Sequence, residues 1–416
     1  MFGFQDGLLL VFILFNQCLL CPASDLDTQE ACSTKMLMSE ETIRIVNATA
    51  MTVAENALEI TTVFYSNLIE RNPEVLYFFN MANQHTGEQQ KTLAHGVVAF
   101  GLYITNLVVL ERFLDEIAQK HVALSVKPEH YSIVHDNLML SIGQVLGDIV
   151  SPAIGKAWSE AITALAHILI EKEEHLYQLH EKRQGGWRYE REFIVSKKHM
   201  VSEDVLALTF QPEDGYSEGF DFEPGQYTTI HLIGVDSILS PRHYAITSKI
   251  GANEFEIAAR ILPNGLMTNY MHNTMQIGEK CLLSAPSGTF GQRLSPQKNI
   301  LISGGIGITT MKSFFDYLGP EKVVKVVHIE RSESKHAFRD YFLKSKVEYD
   351  FIYTNQNGRP NVVALAQELF DFGGSETHYH VCAPPYLMIQ LQVELQKAGA
   401  TNINVQKYSP GAPKNI

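Results

Sequence analysis

Three places in the 416-residue chain combine residue types and spacings that could carry chemistry. His121 shares an apolar helical face with Ile117 and Ala118, and an imidazole so placed is a possible transition-metal ligand. On spacing alone His95, His135 and His167 are comparable, and a histidine on such a face is ordinarily just part of a core. The run Pro241-Arg242-His243-Tyr244-Ala245-Ile246-Thr247 sets a guanidinium beside an aromatic ring, the pairing wanted by a phosphorylated cofactor with a flat ring system. Leu301-Ile302-Ser303-Gly304-Gly305-Ile306-Gly307 reads as a strand running into a glycine turn and a helix start, where backbone N–H groups can approach phosphate closely. Its ordinary alternative is a tight turn with no ligand. Cys18 and Cys21 form a C-x-x-C, but no second pair lies nearby and a structural zinc wants four ligands.

These residues must be positioned by three kinds of element. From Ser39 to about His180, apolar residues recur at three- and four-residue spacings, interrupted at Asn72-Pro73, Pro128 and Ser151-Pro152, so this half is expected to be all-α. Ala157, Trp158, Ile162, Leu165, Ile168 and Leu169 trace one stripe of it, ordinary core packing that ends in the charged run Glu171-Lys172-Glu173-Glu174. Gln184-Gly185-Gly186 breaks the pattern, and from Trp187 the period shortens toward two, in Phe193–Val195, Leu206–Phe210, Tyr227–Ile230 and Phe255–Ile257. Short strands between Gly, Pro and Asp turns argue for an antiparallel β-barrel over 187–295. Beyond Pro296, strands at 299–303, 323–329 and 349–353 alternate with helical segments such as 310–318, which predicts a parallel α/β sheet covered on both faces. The expected organisation is a leader or extension at 1–35, a helical domain at 36–182, the barrel at 187–295 and the α/β domain at 298–416.

Composition excludes several classes. With 45% hydrophobic and 19% charged residues the chain is neither disordered nor repetitive, and a net charge of -13 makes nucleic acid an unexpected partner. Five scattered cysteines do not make a disulfide framework. The apolar run Gly7–Phe15 has signal-peptide length and is followed by the small residues Ala23 and Ser24, but it lacks a basic lead and carries Asp6. Because MLMSEETIRIV reads as the natural beginning of the first helix, Met36 or Met38 is a plausible start. The expected location is cytoplasmic, becoming secretory or organellar if residues 1–24 act as a signal, with no stable membrane insertion and a monomeric state. Asn47-Ala48-Thr49 matches a glycosylation sequon but falls inside that helix, and is read as chance.

The strings IAQKH and KPEHY, with FFNMANQ and GEQQKTL, closely resemble the flavohaemoglobin family, and the resemblance extends over essentially all of 36–416. It implies a multi-domain protein: an all-α globin domain, an antiparallel β-barrel FAD-binding domain and an α/β parallel-sheet NAD(P)-binding domain of ferredoxin-reductase type. It also implies haem b, FAD and NADPH or NADH as cofactors, O2 and NO as small-molecule partners, and nitric oxide dioxygenase activity giving nitrate. By position, His121 matches the proximal iron ligand, and Tyr131 and Glu173 match the pair that hydrogen-bonds around it, where a carboxylate raises electron density at the iron. Tyr65 and Gln89 match distal donors to O2, Phe79 an aromatic packed on the porphyrin, and Leu93 the apolar residue over the iron.

In the other half, Arg242, Tyr244 and Ala245 resemble the R-x-Y-S signature of ferredoxin-reductase-type flavoproteins, and Gln226 and Tyr227 of PGQY a strand segment lining the same flavin. Gly265 and Thr268 match a helix start that holds the FAD pyrophosphate, and Gly304, Gly305 and Gly307 the nucleotide turn. Cys382 stands in the family's C-G-P, and Tyr408 matches an aromatic that covers the flavin. Arg331, Ser332 and Lys335 follow the second strand, where a 2′-phosphate would favour NADPH. Four departures fall on the hydride path: Ala245 for serine, Thr310 for the proline of Gly-x-Thr-Pro, Ala383 for glycine, and Gln406 for an acidic residue. Two alternatives stand beside the dioxygenase: a haem-based gas-binding or sensing protein with an impaired reductase, and an NAD(P)H oxidase producing superoxide or peroxide.

Overall fold

The computed structural model describes residues 38–79, 88–233, 241–295 and 297–406. Among these, one compact unit comprises 38–76, 88–118 and 127–174, and a second comprises 77–79, 119–126 and 175–406. The leader at 1–35 and Tyr408 lie outside the described residues.

The first unit is helical. Helix α1 (Glu40–Arg71) starts at Ser39, whose side chain accepts the Thr42 N–H, with Glu40 and Glu41 in the first turn where the helix dipole favours negative charge. Its Val46, Ala50, Val53, Ala57, Ile60, Phe64 and Leu68 are buried at helical spacing and form the inward face. Helices α2 (Glu88–Leu102), α3 (Glu111–Ala123), α4 (His130–Leu146) and α5 (Pro152–Lys182) follow, residues 119–123 of α3 and 175–182 of α5 belonging to the second unit, and α2 and α4 both pack on α1. Trp158 of α5 is buried and donates to Thr49 Oγ1 at 2.9 Å. A Cβ on Gly101 would come within 2.8 Å of the Trp158 ring, so a small residue is required there. The periodic pattern showed no break between α2 and α3, yet a turn and a 3-10 segment, Leu107–Leu110, separate them. There the Asn106 N–H turns back to Tyr103 O at 2.8 Å, a local bond that ends the helix. No helix among the described residues is long and apolar enough to cross a membrane.

The second unit holds two sheets. Strands β1 (Glu190–Ser202), β2 (Val205–Pro212), β3 (Tyr227–Leu232), β4 (Arg242–Ala245), β5 (Phe255–Arg260) and β6 (Lys280–Ser284) form an antiparallel sheet in the order β4-β3-β6-β1-β2-β5. A bridge between Ile246 and Ile257 brings its two edges together, and helix α6 (Leu266–Asn273) lies between β5 and β6 in the chain. Trp187, Phe193, Phe210, Phe220 and Phe255 fill the barrel.

The second sheet is parallel, in the order β11-β10-β7-β8-β9, built from β7 (Asn299–Gly304), β8 (Val323–Glu330), β9 (Glu348–Tyr353), β10 (His378–Cys382) and β11 (Ile403–Gln406). Its intervening helices are α7 (Ile308–Leu318), α8 (Arg339–Leu343), α9 (Thr354–Asn357), α10 (Val362–Gly373) and α11 (Pro385–Ala398). One core joins Leu301 and Val326 to Met311 and Phe314 of α7, and the opposite core joins Ile300, Ile302 and Val381 to Leu369 of α10 and Leu391 of α11. All six residues of β7 are buried, as a central strand covered on both faces must be. Val205, Ala207 and Ala258 of the barrel join the α7-side core, so barrel and α/β lobe share apolar packing.

Candidate functional site

In the helical part, the four histidines that spacing left equivalent separate by environment. His95 and His167 are exposed, and both His135 nitrogens are engaged, Nε2 with Ser159 Oγ at 2.9 Å and Nδ1 with Asp136 at 3.0 Å. His121 is half-buried in the last turn of α3, its carbonyl accepting from Leu124 and Val126. Tyr131, in the first turn of α4, donates its hydroxyl to Glu173 of α5, whose side chain is only 2% exposed. The charged run around Glu173 therefore hides one carboxylate that does not face water. Tyr65 of α1 is buried, and burial holds its phenol well above the ordinary value, so it stays a neutral donor. Leu93 lies half-buried on α2 and Phe79 is half-buried just past the 3-10 segment Pro73–Phe78. Gln89 belongs to α2, but its side chain lies outside the described residues.

In the barrel, β3 and β4 pair so that Tyr227 faces Ala245, Thr228 faces Tyr244 and Ile230 faces Arg242. Gly225, at φ 74°, makes the turn before β3, and a Cβ there would meet the Phe314 ring at 2.4 Å. Gln226 is buried and spends its amide on the protein: Oε1 accepts from Arg183 Nη1 and from the Glu223 N–H, each at 2.9 Å, and Nε2 donates to Gly288 O at 3.1 Å. Its side chain thus fixes the turn before the strand segment that the family resemblance places along the flavin. Two observations favour a phosphorylated flat ligand here. The Tyr244 hydroxyl is buried with no partner among the described residues, and desolvation lowers the Arg242 pKa, so a phosphate would compensate a poorly hydrated cation. Gly265 caps α6 without a side-chain bond, leaving the first-turn amides of this helix without intrahelical acceptors. The Thr268 hydroxyl donates to Gly265 O and accepts from the Leu262 N–H, each at 3.3 Å, fixing the turn. Ala245 is buried.

In the α/β lobe, Gly304 ends β7, Gly305 turns at φ 57° and Gly307 starts α7. A Cβ on Gly307 would fall 2.0 Å from the Cys382 carbonyl oxygen, whereas one on Gly305 would meet nothing within 4 Å. Gly307 therefore allows the helix to pack on β10, and Gly305 leaves the outer side of the turn open, as a phosphate cradle requires. Cys382 is buried, its thiol pushed up to about 12, and pairs with Ser303 on one side and Gln406 on the other. Its Sγ lies 4.0 Å from Thr310 Oγ1. The Ala383 methyl belongs to the α10/α11-side core and is 5% exposed, packed into the lobe. Lys335 pairs with Asp204 at 3.2 Å, and Arg260 bridges Asp204 and the buried Glu330, so the end of β8 is a balanced ion network. Arg331 is exposed.

Two family models match, Oxidoreductase FAD-binding domain over residues 192–291 and Globin over residues 62–169. A flavohemoprotein of Rhodopirellula baltica is 38% identical over 318 residues, covering 73% of this chain and 77% of that one. Flavohemoprotein A of Dictyostelium discoideum is 32% identical over 396 residues, 90% of this chain and 99% of that one. The chain belongs to the flavohemoprotein family.

The crystal structure of flavohemoglobin from Malassezia yamatoensis, with bound FAD and heme, matches with a TM-score of 0.77 at 26% identity, covering 88% of this chain and 98% of that one. The flavohemoprotein fold thus accounts for the order of parts: globin helices, an antiparallel flavin-type barrel and a parallel nucleotide-type lobe. Residues that the sequence patterns did not single out also shape this flavohemoprotein's site. Arg183, just past α5, holds Gln226 and Glu223, and Lys312 of α7 donates to Thr247 O at 2.6 Å, past the end of β4. Neither sits in a motif, and only the placement of a cation at a helix end hinted at Arg183.

Proposed function

We propose that this flavohemoprotein is an NAD(P)H-dependent nitric oxide dioxygenase that joins NO and O2 into nitrate. When bound, haem would supply the iron for the gas chemistry, and FAD would supply hydride acceptance from NAD(P)H and single-electron delivery, one electron for each nitrate formed. His121 holds the iron, with Tyr131 and Glu173 setting its electronic character. Tyr65, kept neutral by burial, would donate a hydrogen bond to bound O2, a role that the family resemblance also gives Gln89. Phe79 and Leu93 supply the apolar walls. Arg242 and the first turn of α6 bind the FAD phosphates, Tyr244 and Tyr227 flank its ring, and Gln226 holds their loop in place. Gly304, Gly305 and Gly307 would take the nucleotide phosphates, Cys382 would lie near the nicotinamide, and Tyr408 has the role of the aromatic that covers the flavin.

The observation that carries this reading is the Tyr131–Glu173 hydrogen bond: a carboxylate kept out of water and aimed by a phenol is costly to bury, and suits an electron-donating role beside a metal ligand. The open side of the glycine turn and the buried Tyr244 hydroxyl, which has no partner among the described residues, support retained nucleotide and flavin modules. Mixing the haem- and FAD-loaded protein with NADH or NADPH anaerobically tests it. Flavin bleaching followed by ferrous haem formation is expected; a flavin that stays oxidised over minutes would turn the assignment toward a gas-binding protein.

A further inference from the structure

Within the second unit, Gln119 stands two positions before His121 on α3, and its side-chain oxygen accepts the Gly288 N–H at 2.8 Å. The carbonyl of the same Gly288 accepts from Gln226 Nε2 at 3.1 Å. Gly288 is held at φ 111°, and a Cβ on it would lie 2.8 Å from the Tyr227 ring. Ser287 is bridged to Tyr227 in both directions, at 3.0 and 2.9 Å. The N–H of this one glycine is therefore held by the turn that carries His121, and its carbonyl by the amide of Gln226 beside Tyr227. The loop after His121 is fixed as well, since Tyr177 donates to Val126 O at 2.7 Å and Val126 N–H closes on His121 O at 3.0 Å.

We propose that Gln119 is a positioning residue for electron transfer: through Gly288 it sets the His121 turn against the Gln226–Tyr227 loop, and so holds the proposed iron ligand in register with the residues proposed to line the flavin. The proposal rests on the function given above. Gln119 touches neither reacting group. Its only requirement is an acceptor at the end of a side chain of this length, which Glu also provides and Leu does not. Hydride transfer to the flavin depends on β4, α6 and the glycine turn, and among the described residues the Gln119 side chain hydrogen-bonds to Gly288 and to none of these, so the two electron-transfer phases should respond differently.

The test compares wild type, Gln119→Leu and Gln119→Glu. Hydrogen exchange at the Gly288 amide, followed in the apoprotein and in the haem- and FAD-loaded protein, should be about tenfold faster in Gln119→Leu and near wild type in Gln119→Glu. In anaerobic stopped flow with NADH, all three should bleach flavin at the same rate. Haem reduction should slow in Gln119→Leu and recover in Gln119→Glu. Unchanged Gly288 exchange, unchanged haem reduction, or equal slowing of both phases would each overturn the proposal. A wild type that bleaches flavin and never reduces haem would instead refute the function beneath it, and this inference with it.

Discussion

The Tyr131 hydroxyl and the Glu173 carboxylate form a hydrogen bond between α4 and α5 in which the acid is removed from water. Tyr131→Phe leaves that carboxylate one donor short, at a cost of about 1–3 kcal/mol. The expected result is a lower melting temperature than wild type, together with slower turnover of NO. Glu173→Gln, which keeps the volume and loses the charge, should spare stability more than activity. Equal losses in both variants, scaling with stability alone, would make the pair a packing feature.

Ala245 occupies the end of β4 opposite Tyr227, at the position that the R-x-Y-S resemblance gives to serine. Ala245→Ser adds a hydroxyl at a buried position beside the proposed flavin. If that hydroxyl stabilises the hydride-transfer step by about 1–3 kcal/mol, flavin reduction by NADH accelerates roughly tenfold to hundredfold. Stopped-flow absorbance of the flavin band measures this, and an unchanged rate would show that the missing serine is not what limits reduction.

Gly307 leaves no room for a side chain against the Cys382 carbonyl. Gly307→Ala therefore must shift α7 or β10, and the expected outcome is loss of flavin reduction by NAD(P)H while dithionite-reduced protein still binds CO at its haem. Retained reduction at the wild-type rate would mean that the glycine turn does not seat the nucleotide.

His380 is held neutral by its neighbours. Asn299 Oδ1 accepts from its Nε2, with the Asn299 amide nitrogen spent on backbone carbonyls, and the Asn404 amide, fixed by Phe290 O, points at its Nδ1. Burial depresses its pKa to about 3. With an unfolded value near 6.5, the unfolded chain takes up the proton first, so the stability from this group is full above about pH 6.5 and falls as pH drops toward the folded value, by up to about 1.4 kcal/mol per pH unit. His336, His231 and His180, each lowered to about 4 by burial, act in the same direction. Melting temperatures at pH 7 and pH 5 should differ clearly in wild type and by less in His380→Gln; a pH-independent difference between the two proteins would contradict this account.

Much of the architecture was legible because it depends on periodicity. The three-and-four spacing of Val46, Ala50 and Val53, the alternation in β1–β6 and the strand–turn–helix of 299–318 each follow from which side chains must leave water. The site was legible only where a motif carried it. Nothing in Glu171-Lys172-Glu173-Glu174 distinguishes the one buried carboxylate, because its burial comes from the facing Tyr131, a long way off in sequence. The bonds of Gln226 to Arg183 and Gly288, and of Gln119 to Gly288, are contacts between distant segments that no local pattern encodes. The break at Tyr103–Asn106 escaped notice since it uses neither glycine nor proline. The ion network of Lys335 and Arg260 likewise depends on Asp204, in the β1–β2 turn, and leaves Lys335 already paired at the place where a 2′-phosphate was anticipated.

Under the proposed function, electrons from NAD(P)H end in nitrate. The most direct measurement follows NO with an electrode in aerated buffer containing the loaded protein and NADH or NADPH, and quantifies nitrate and nucleotide oxidation in the same sample. The account expects NO loss to be matched by nitrate, with about half as much NAD(P)H oxidised, since each nitrate takes one electron and each nucleotide supplies two. Nucleotide oxidation that NO does not accelerate, with superoxide or peroxide accumulating in place of nitrate, would contradict it.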